Sequence, residues 1–269
     1  MRLGAYQFAV GGSIRENLAR MVRAAEEASS AGVRLLAFPE CALTGYPPRD
    51  LASASAVDRA ALEEALETLA ALAREKALHL LLGTILPGDG GFSDSALLLS
   101  PDGKRSVYHK RALWGWDRDN FIPGPGGGVF DIDGLRVGIR ICYEVRFPEY
   151  FRELYRAGTD LNILLFYDVS EREDPGRFDL IRAHVRTRAV ENVCPVLCVN
   201  AAGPHQTAPT GIYDASGRPL RELTPEEESL LVWELRPAAP DFGEQGRREI
   251  SDRLVFGPDR PGFDRKNNE

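Results

Sequence analysis

Four short, continuously apolar segments constrain the fold of this chain more than any other feature of its sequence. They lie at 33–40, 78–86, 160–167 and 195–203. Apolar segments of this length, without alternating polar residues, are typical of strands buried on both faces. Segments with helical periodicity lie between them, at 17–29, 54–76, 148–157 and 177–192. Strands alternating with helices predict an α/β layered fold, with a mixed sheet or two sheets between layers of helices.

Two hairpins add antiparallel strands to this pattern. DSALLLS and RSVYHK flank the turn Pro101-Asp102-Gly103, and VFDI and LRVGIRI flank an Asp-Gly turn. No composition shift or linker divides the 269 residues, so we expect one domain over 1–269. Within it, 237–269 is rich in Pro, Gly, Arg and Asp, and we expect a C-terminal tail lying across a surface of this chain or of a partner subunit.

Composition excludes several classes of partner. The net charge of −7 and the lack of a basic cluster argue against a nucleic-acid partner. No apolar run reaches the roughly 18–20 residues that a membrane span needs, and the first residues read as a strand rather than a signal peptide. The cysteines lack the spacing of a zinc site and the four histidines are scattered, so we expect no metal, no cofactor and a cytoplasmic location. The four cysteines are Cys41, Cys142, Cys194 and Cys198.

Three chemically distinct residues each end a predicted strand. Glu40 ends FPE, Lys110 ends VYHK and Cys142 ends RIC. Only four of the 33 basic residues are Lys, so a lysine between apolar and aromatic residues is conspicuous. Strand ends are where α/β proteins gather catalytic groups. A carboxylate, an ammonium and a thiol suit acyl transfer, in which the thiol attacks, the carboxylate moves a proton and the ammonium stabilises an oxyanion.

Cys142 lies between the end of a strand at 135–141 and the start of a helix that carries Pro148 and Glu149. Backbone N–H groups at such a position favour a thiolate. An activated thiol of this kind would react with iodoacetamide well below the free-thiol pKa of about 8.5. The alternative is a buried, unreactive cysteine, which is the usual state of a free cysteine in a protein.

The motifs around these residues resemble those of the nitrilase superfamily, the carbon–nitrogen hydrolases. The resemblance covers about residues 3–235 and rests on FPECALTGY, YHKRALWGWDRDNFIPG and GIRICYEVRFPE, with RTRAVENVCPVLCVNAAG after them. It implies a four-layer αββα sandwich, assembled as a homodimer or larger homo-oligomer. It also implies that Glu40 is the general base and acid, Lys110 the oxyanion stabiliser and Cys142 the nucleophile.

The chain departs from this family at one position. Many members carry a second Glu seven residues before the glycine of a Pro-Gly pair; here that glycine is Gly124 and the matching residue is Asp117. We expect Asp117 to help hold Lys110 and the substrate, or Glu144 to take that role.

Three further residues are candidates for substrate binding, and one histidine is an alternative catalytic partner for Cys142. Tyr143 is expected to offer its backbone N–H to an oxyanion. Arg146 would clamp a substrate carboxylate or carbonyl, or pair with Glu149 or Glu191. Trp114 would line an acyl pocket. A Cys–His dyad with His109 is disfavoured, because adjacent residues of a strand face opposite ways and Lys110 faces the site.

The expected function is hydrolysis of a small amide or N-carbamoyl compound through a thioester at Cys142, with release of ammonia. A nitrilase acting on a small nitrile would use the same three residues. A membrane-bound acyltransferase is disfavoured, because the sequence contains no predicted membrane-spanning segment. A non-catalytic small-molecule binder on the same fold is the alternative outside the enzymes, and Asp117 is the feature that favours it.

Overall fold

The computed structural model of the protein describes residues 1–236 and 239–257. The strands are β1 (Arg2–Gln7), β2 (Leu35–Ala37), β3 (His79–Gly88), β4 (Gly91–Leu99), β5 (Arg105–His109), β6 (Val129–Ile132), β7 (Leu135–Ile141), β8 (Leu161–Phe166), β9 (Val196–Asn200), β10 (Gly211–Tyr213), β11 (Pro219–Glu222) and β12 (Ser229–Glu234). The helices are α1 (Ile14–Ser30), α2 (Arg59–Lys76), α3 (Trp116–Asn120), α4 (Pro148–Arg156), α5 (Pro175–Asn192) and α6 (Phe242–Phe256).

The strands form two mixed six-stranded sheets. The spatial order is β12-β1-β2-β3-β4-β5 in the first sheet and β11-β10-β9-β8-β7-β6 in the second. The central strands β1, β2 and β3 pair in parallel, as do β7, β8 and β9, and the outer pairs are antiparallel. Four of these central strands, β2, β3, β8 and β9, are the continuously apolar segments of the sequence, as parallel pairing between covered faces requires.

Three apolar cores define four layers. One core joins α1 and α2 to the outer face of the first sheet, through residues such as Met21, Leu69 and Leu80. A second lies between the sheets and includes Leu81 and Ile139. A third joins α4 and α5 to the second sheet, through residues such as Phe151, Ile181 and Leu164. The predicted αββα sandwich is therefore confirmed.

Several boundaries differ from the sequence prediction. The strand predicted at 33–40 pairs only at Leu35–Ala37, because the chain turns away to carry Glu40. The helix predicted at 54–76 begins at Arg59, since the Asp58 side chain accepts hydrogen bonds from the first backbone N–H groups of α2. A short helix, α3, interrupts the predicted loop at 111–128.

The C-terminal tail expected at 237–269 is largely helical where it is described, because most of residues 239–257 form the helix α6. Asp241 and Glu244 form a capping box that starts this helix, a local signal that the low apolar periodicity concealed. The helix lies across the chain's own α4, where the Tyr155 hydroxyl donates to Asp252 Oδ1 at 2.7 Å. Residues 237–238 and 258–269 of the predicted tail lie outside the described residues. None of the helices in the described part is long and apolar enough to cross a membrane.

Candidate active site

The three predicted catalytic residues come from the ends of strands in both sheets. Glu40 follows β2 and Lys110 follows β5 in the first sheet, whereas Cys142 follows β7 in the second. Lys110 Nζ lies 2.5 Å from Glu40 Oε1, and both side chains are buried. The charge of Lys110 also acts on the Cys142 thiol. The structure therefore brings a carboxylate, an ammonium and a thiol together where the two sheets meet.

Glu40 is held by the second sheet as well as by Lys110. Its Oε2 accepts a hydrogen bond of 2.7 Å from the backbone N–H of Tyr167, which follows β8. Its own backbone N–H donates to the carbonyl of Phe166 at 3.3 Å. Both carboxylate oxygens thus have hydrogen-bond donors, which fix the carboxylate in place beside Lys110.

Asp117 lies in α3 and reaches Lys110 despite its shorter side chain. Its Oδ2 is 2.9 Å from Lys110 Nζ, and its Oδ1 accepts a hydrogen bond of 2.7 Å from the Tyr46 hydroxyl. The Tyr46 ring stacks on the Tyr167 ring, with 5.2 Å between centroids. The contact with Lys110 is the one expected of Asp117 from the sequence.

Lys110 remains a cation although it is buried. Burial alone would lower the pKa of its ammonium, but the carboxylates around it outweigh that effect and hold the pKa well above its usual range. The carboxylates are those of Glu40 and Asp117, and the carboxyl group of Asp94 also lies beside the ammonium. A permanently charged donor beside the thiol suits the stabilisation of an oxyanion.

Cys142 occupies a strained turn between β7 and α4. Its φ of +44° is in the left-handed region, which a non-glycine residue seldom adopts, and it opens a short 3₁₀ turn over Cys142–Arg146. The carboxylate of Glu144 fixes this turn by accepting a hydrogen bond of 2.8 Å from the Ile141 backbone N–H. The turn places the thiol where the charges of Glu40 and Lys110 act on it.

The thiol itself is in a different protonation state from the one the sequence predicts. Burial and the neighbouring Glu40 carboxylate raise the pKa of Cys142 well above its usual range, and Lys110 only partly offsets them. The resting site therefore holds a neutral thiol rather than a preformed thiolate. A neutral thiol needs a base to become a nucleophile, and Glu40 is the carboxylate placed to supply it.

Glu144 has a structural position rather than the predicted contact with substrate. It is fully buried, and its Oε1 accepts hydrogen bonds from the Tyr108 hydroxyl at 2.7 Å and the Arg111 backbone N–H at 2.8 Å. Together with the bond from Ile141, these contacts occupy both carboxylate oxygens. Glu144 therefore ties the strand end that carries Lys110 to the turn that carries Cys142.

The remaining predicted binding residues lie at or near the surface. Arg146 places its guanidinium 5.7 Å from the centre of the half-buried Tyr143 ring. Glu191, one of its predicted partners, pairs instead with Arg188. Trp114 is 60% exposed and lies under the guanidinium of Arg118, so it is not enclosed in an acyl pocket within this chain.

His109, Cys194 and Cys198 lie outside this cluster of charges, whereas the Cys41 thiol borders it. His109 Nδ1 is 2.7 Å from Ser95 Oγ, on the strand face opposite to Lys110, as the alternation predicts. Cys198 is buried in β9 of the second sheet, and Cys194 is buried just before that strand. Cys41 is also buried, and its Sγ lies 3.7 Å from Asp94 Oδ1.

One member of the site, Asp94, does not stand out in the sequence. It is buried in β4, and its Oδ2 lies 3.2 Å from Lys110 Nζ. The signal that would have found it is the hairpin register: Ser95 pairs with His109 across β4 and β5, which sets Asp94 opposite Lys110. Within the described residues, no group of three or more His, Cys, Asp or Glu side chains is placed to hold a metal ion.

The sequence of this chain is similar to those of known carbon–nitrogen hydrolases and amidases. The sequence model of the family described as carbon-nitrogen hydrolase matches residues 2–239. An (R)-stereoselective amidase of Pseudomonas sp. is 31% identical over 193 residues, which cover 71% of this chain and 67% of the relative. An omega-amidase of Xenopus tropicalis is 25% identical over 271 residues, covering 96% of this chain and 87% of the relative.

A solved structure extends the similarity to the fold. The crystal structure of an amidase from Nesterenkonia sp. matches with a TM-score of 0.78 and 27% identity, covering 94% of this chain and 95% of that one. A related structure of a Nesterenkonia amidase is described as belonging to the nitrilase superfamily. With its strand-end glutamate, lysine and cysteine gathered between two sheets, this chain belongs to the carbon–nitrogen hydrolase family of the nitrilase superfamily.

Proposed function

We propose that the protein hydrolyses a small amide or N-carbamoyl compound through a thioester at Cys142, releasing ammonia. The observation that carries the proposal is the contact of Lys110 Nζ with both Glu40 and Asp117 beside the Cys142 thiol. This arrangement supplies a base, an oxyanion donor and a nucleophile without further groups.

In the first half of the reaction, the Cys142 sulfur bonds to the substrate carbonyl carbon while its proton passes to Glu40. The carbonyl oxygen becomes an oxyanion, which Lys110 Nζ stabilises together with the backbone N–H of Tyr143. The intermediate then collapses, the C–N bond breaks, and Glu40 returns its proton to the leaving nitrogen. Ammonia departs and the acyl group stays on sulfur.

In the second half, water attacks the thioester carbon and Glu40 takes a proton from it. The C–S bond breaks, the sulfur regains a proton, and a carboxylic acid leaves. The net reaction consumes one amide and one water and produces one acid and one ammonia, so the site needs no redox partner.

The choice of an amide rests on the relatives. Two of the matched proteins are named amidases, and one Nesterenkonia structure, of a variant without its cysteine, holds butyramide. Another, of a Glu-to-Gln variant, records Michael addition of acrylamide at the active-site cysteine. By analogy, a small uncharged amide reaching Cys142 is the substrate class that we favour for this chain.

A nitrile is the second candidate, because its carbon accepts the same nucleophile. The thiol would add to the C≡N carbon, and two waters would then be consumed before acid and ammonia leave. The same three residues serve both reactions, so substrate specificity has to be measured.

The test is ammonia release from a panel of small aliphatic amides, N-carbamoyl compounds and nitriles. Wild-type protein is compared with Cys142→Ala, and with Cys194→Ala as a matched control that removes a different thiol. We expect release from one class, lost in Cys142→Ala and retained in Cys194→Ala. Release that survives in Cys142→Ala would overturn the thioester mechanism. Silence across the panel would favour the non-catalytic binder.

A further inference from the structure

One ammonium in this site faces three carboxyl groups. Lys110 Nζ lies 2.5 Å from Glu40 Oε1, 2.9 Å from Asp117 Oδ2 and 3.2 Å from Asp94 Oδ2. All four side chains are buried. If every carboxyl were ionised, the cluster would hold two uncompensated negative charges away from water, which is strongly unfavourable. At least one carboxyl must therefore carry a proton.

The hydrogen-bond donors show which carboxyl that is. Glu40 has Lys110 on one oxygen and the Tyr167 backbone N–H on the other. Asp117 has Lys110 on one oxygen and the Tyr46 hydroxyl on the other. Two good donors stabilise an ionised carboxylate, and both residues have them.

Asp94 lacks such support. Its Oδ1 receives only the long contact from the Cys41 thiol, at 3.7 Å, and its Oδ2 makes no hydrogen bond of good geometry in the described structure. Two ionised carboxylates cannot hydrogen-bond to each other, because each is only an acceptor. Asp94 and Glu40 both contact Lys110 Nζ and lie within hydrogen-bonding reach of each other, so a proton on Asp94 would supply the O–H donor for a bond to Glu40.

The electrostatics agree with the geometry. Burial raises the pKa of the Asp94 carboxyl well above its usual range, the Glu40 carboxylate and a hydrogen bond to it raise the pKa further, and Asp117 adds to this. Lys110 opposes the shift but does not cancel it. Neither of the nearby thiols, Cys41 and Cys142, adds a negative charge at rest, since burial raises both of their pKa values.

We propose that Asp94 is a positioning residue that stays a neutral carboxylic acid in the working enzyme and donates its proton as a hydrogen bond to Glu40. The β4–β5 register holds it there: the Lys110 backbone N–H donates to the Asp94 carbonyl at 2.8 Å, so the two side chains lie side by side.

This role deepens the proposed function and rests on it, because it concerns the base of that reaction. A neutral donor beside Glu40 keeps Glu40 ionised and ready to accept the thiol proton. It also makes protonated Glu40 a stronger acid, which helps it to return the proton to the leaving nitrogen. An ionised Asp94 would do the reverse, since it would draw the proton onto Glu40 and add repulsion to the forming thiolate.

Infrared difference spectroscopy tests the protonation state without reference to activity. At neutral pH, wild type minus Asp94→Asn should show the C=O stretching band of a neutral carboxylic acid. Wild-type protein made with carboxyl-labelled aspartate should show the same band shifted, which removes any dependence on the variant's folding. Asp168→Asn is the matched control, because the buried Asp168 carboxylate is bound by Arg177 and Thr207 and should contribute no acid band. Carboxylate bands in place of the acid band, or no shift on labelling, would overturn the proposal.

Activity of two variants tests the positioning role. Asn keeps an N–H donor where the acid O–H lies, whereas Leu removes the donor at similar size. We expect Asp94→Asn to lose no more than about tenfold in kcat/KM and Asp94→Leu at least about 100-fold, with most of the loss in kcat. Equal losses in the two variants would exclude the role of Asp94 as a donor. Absence of activity in wild type would contradict the proposed function but would leave the infrared result standing.

Discussion

At the scale of single residues, the site depends on how its charges balance. The cluster contains one cation, Lys110, and three carboxyl groups, those of Glu40, Asp94 and Asp117. One positive charge cannot balance three negative ones, so each carboxyl group has a distinct task. In the proposed mechanism Glu40 moves a proton, Asp117 fixes the ammonium, and Asp94 gives Glu40 a hydrogen bond. Substitutions that keep shape but change charge separate these tasks.

Replacing Asp117 with Asn tests the residue that departs from the family pattern. Asn still accepts a hydrogen bond from Tyr46, but it removes the negative charge 2.9 Å from Lys110 Nζ. We expect kcat/KM to fall by at least about tenfold, equivalent to about 1.4 kcal/mol of transition-state stabilisation. Tyr46→Phe, which removes only the hydroxyl, should cost less. Full kcat/KM in Asp117→Asn on the best substrate would exclude its role in holding Lys110.

The pH dependence of alkylation tests the state of the thiol. Burial and the Glu40 carboxylate raise the pKa of Cys142, so its rate of reaction with iodoacetamide should rise only above the usual thiol pKa of about 8.5. In Glu40→Gln one negative charge is lost and Lys110 remains, so the thiolate is stabilised and the midpoint should move to lower pH. If the pH midpoint of wild-type alkylation lies below that of a free thiol, Cys142 is a preformed thiolate, as the sequence predicts.

At the scale of structural elements, close backbone packing sets where the catalytic residues sit. Gly83 in β3 lies directly against the chain segment that carries Glu40. A Cβ added there would be 2.2 Å from the Pro39 carbonyl oxygen and 2.5 Å from the Glu40 Cα. These are backbone atoms that cannot rotate away, so only glycine fits at this crossing.

Gly83→Ala should therefore displace Glu40 and strain the first sheet. We expect the free energy of unfolding to fall by about 1–3 kcal/mol, as overpacking does, together with a loss of kcat/KM. Gly88→Ala is the matched control in the same strand, because a Cβ there meets only the Gly91 carbonyl oxygen at 3.9 Å. Denaturant titrations and initial rates measure both effects. A Gly83→Ala protein as stable and active as Gly88→Ala would contradict the close approach.

The elements also show what the sequence could predict. The hairpin at 129–141 and the helix after Cys142 follow from local signals, an Asp-Gly turn and Pro148, and the structure confirms both. Asp94 escaped prediction because its importance depends on the pairing register, not on its neighbours in sequence. The helix α6 escaped because Ser251 is its one buried residue, so no apolar stripe marked it. The thiol's raised pKa depends on burial beside Glu40, which no linear pattern records.

At the scale of the whole molecule, the active site exists only where the two sheets pack together. Glu40, Asp94 and Lys110 belong to the first sheet and Cys142 to the second. Polar links cross the boundary at the site: Glu40 accepts from the Tyr167 backbone, and Glu144 accepts from Tyr108 as well as from Ile141. Separation of the sheets would therefore abolish the site before either sheet unfolded.

Glu144→Gln tests this coupling. A glutamine offers one acceptor oxygen, so its amide NH₂ must face either the Ile141 N–H or the donors of Tyr108 and Arg111. We expect a loss of about 2–3 kcal/mol in the free energy of unfolding, with activity and circular dichroism lost in one transition. Glu149→Gln, at the exposed start of α4, is the control and should change little. An unchanged midpoint for Glu144→Gln would show that the link is dispensable.

Assembly of the chain into a homodimer or larger homo-oligomer stays a prediction from the resemblance. Light scattering of the purified protein should give at least twice the mass of one chain. A monomer with full activity would show that the site described here is complete within a single subunit.

The most direct test of the account is the intact mass of the protein during turnover. Wild type mixed with its best small amide and quenched rapidly in acid should carry one acyl group, located by digestion on the peptide that contains Cys142. Ammonia should appear in equal amount to that adduct in the first turnover, and Cys142→Ala should show neither. Ammonia released without any acyl adduct on Cys142, or released equally by Cys142→Ala, would contradict the thioester mechanism.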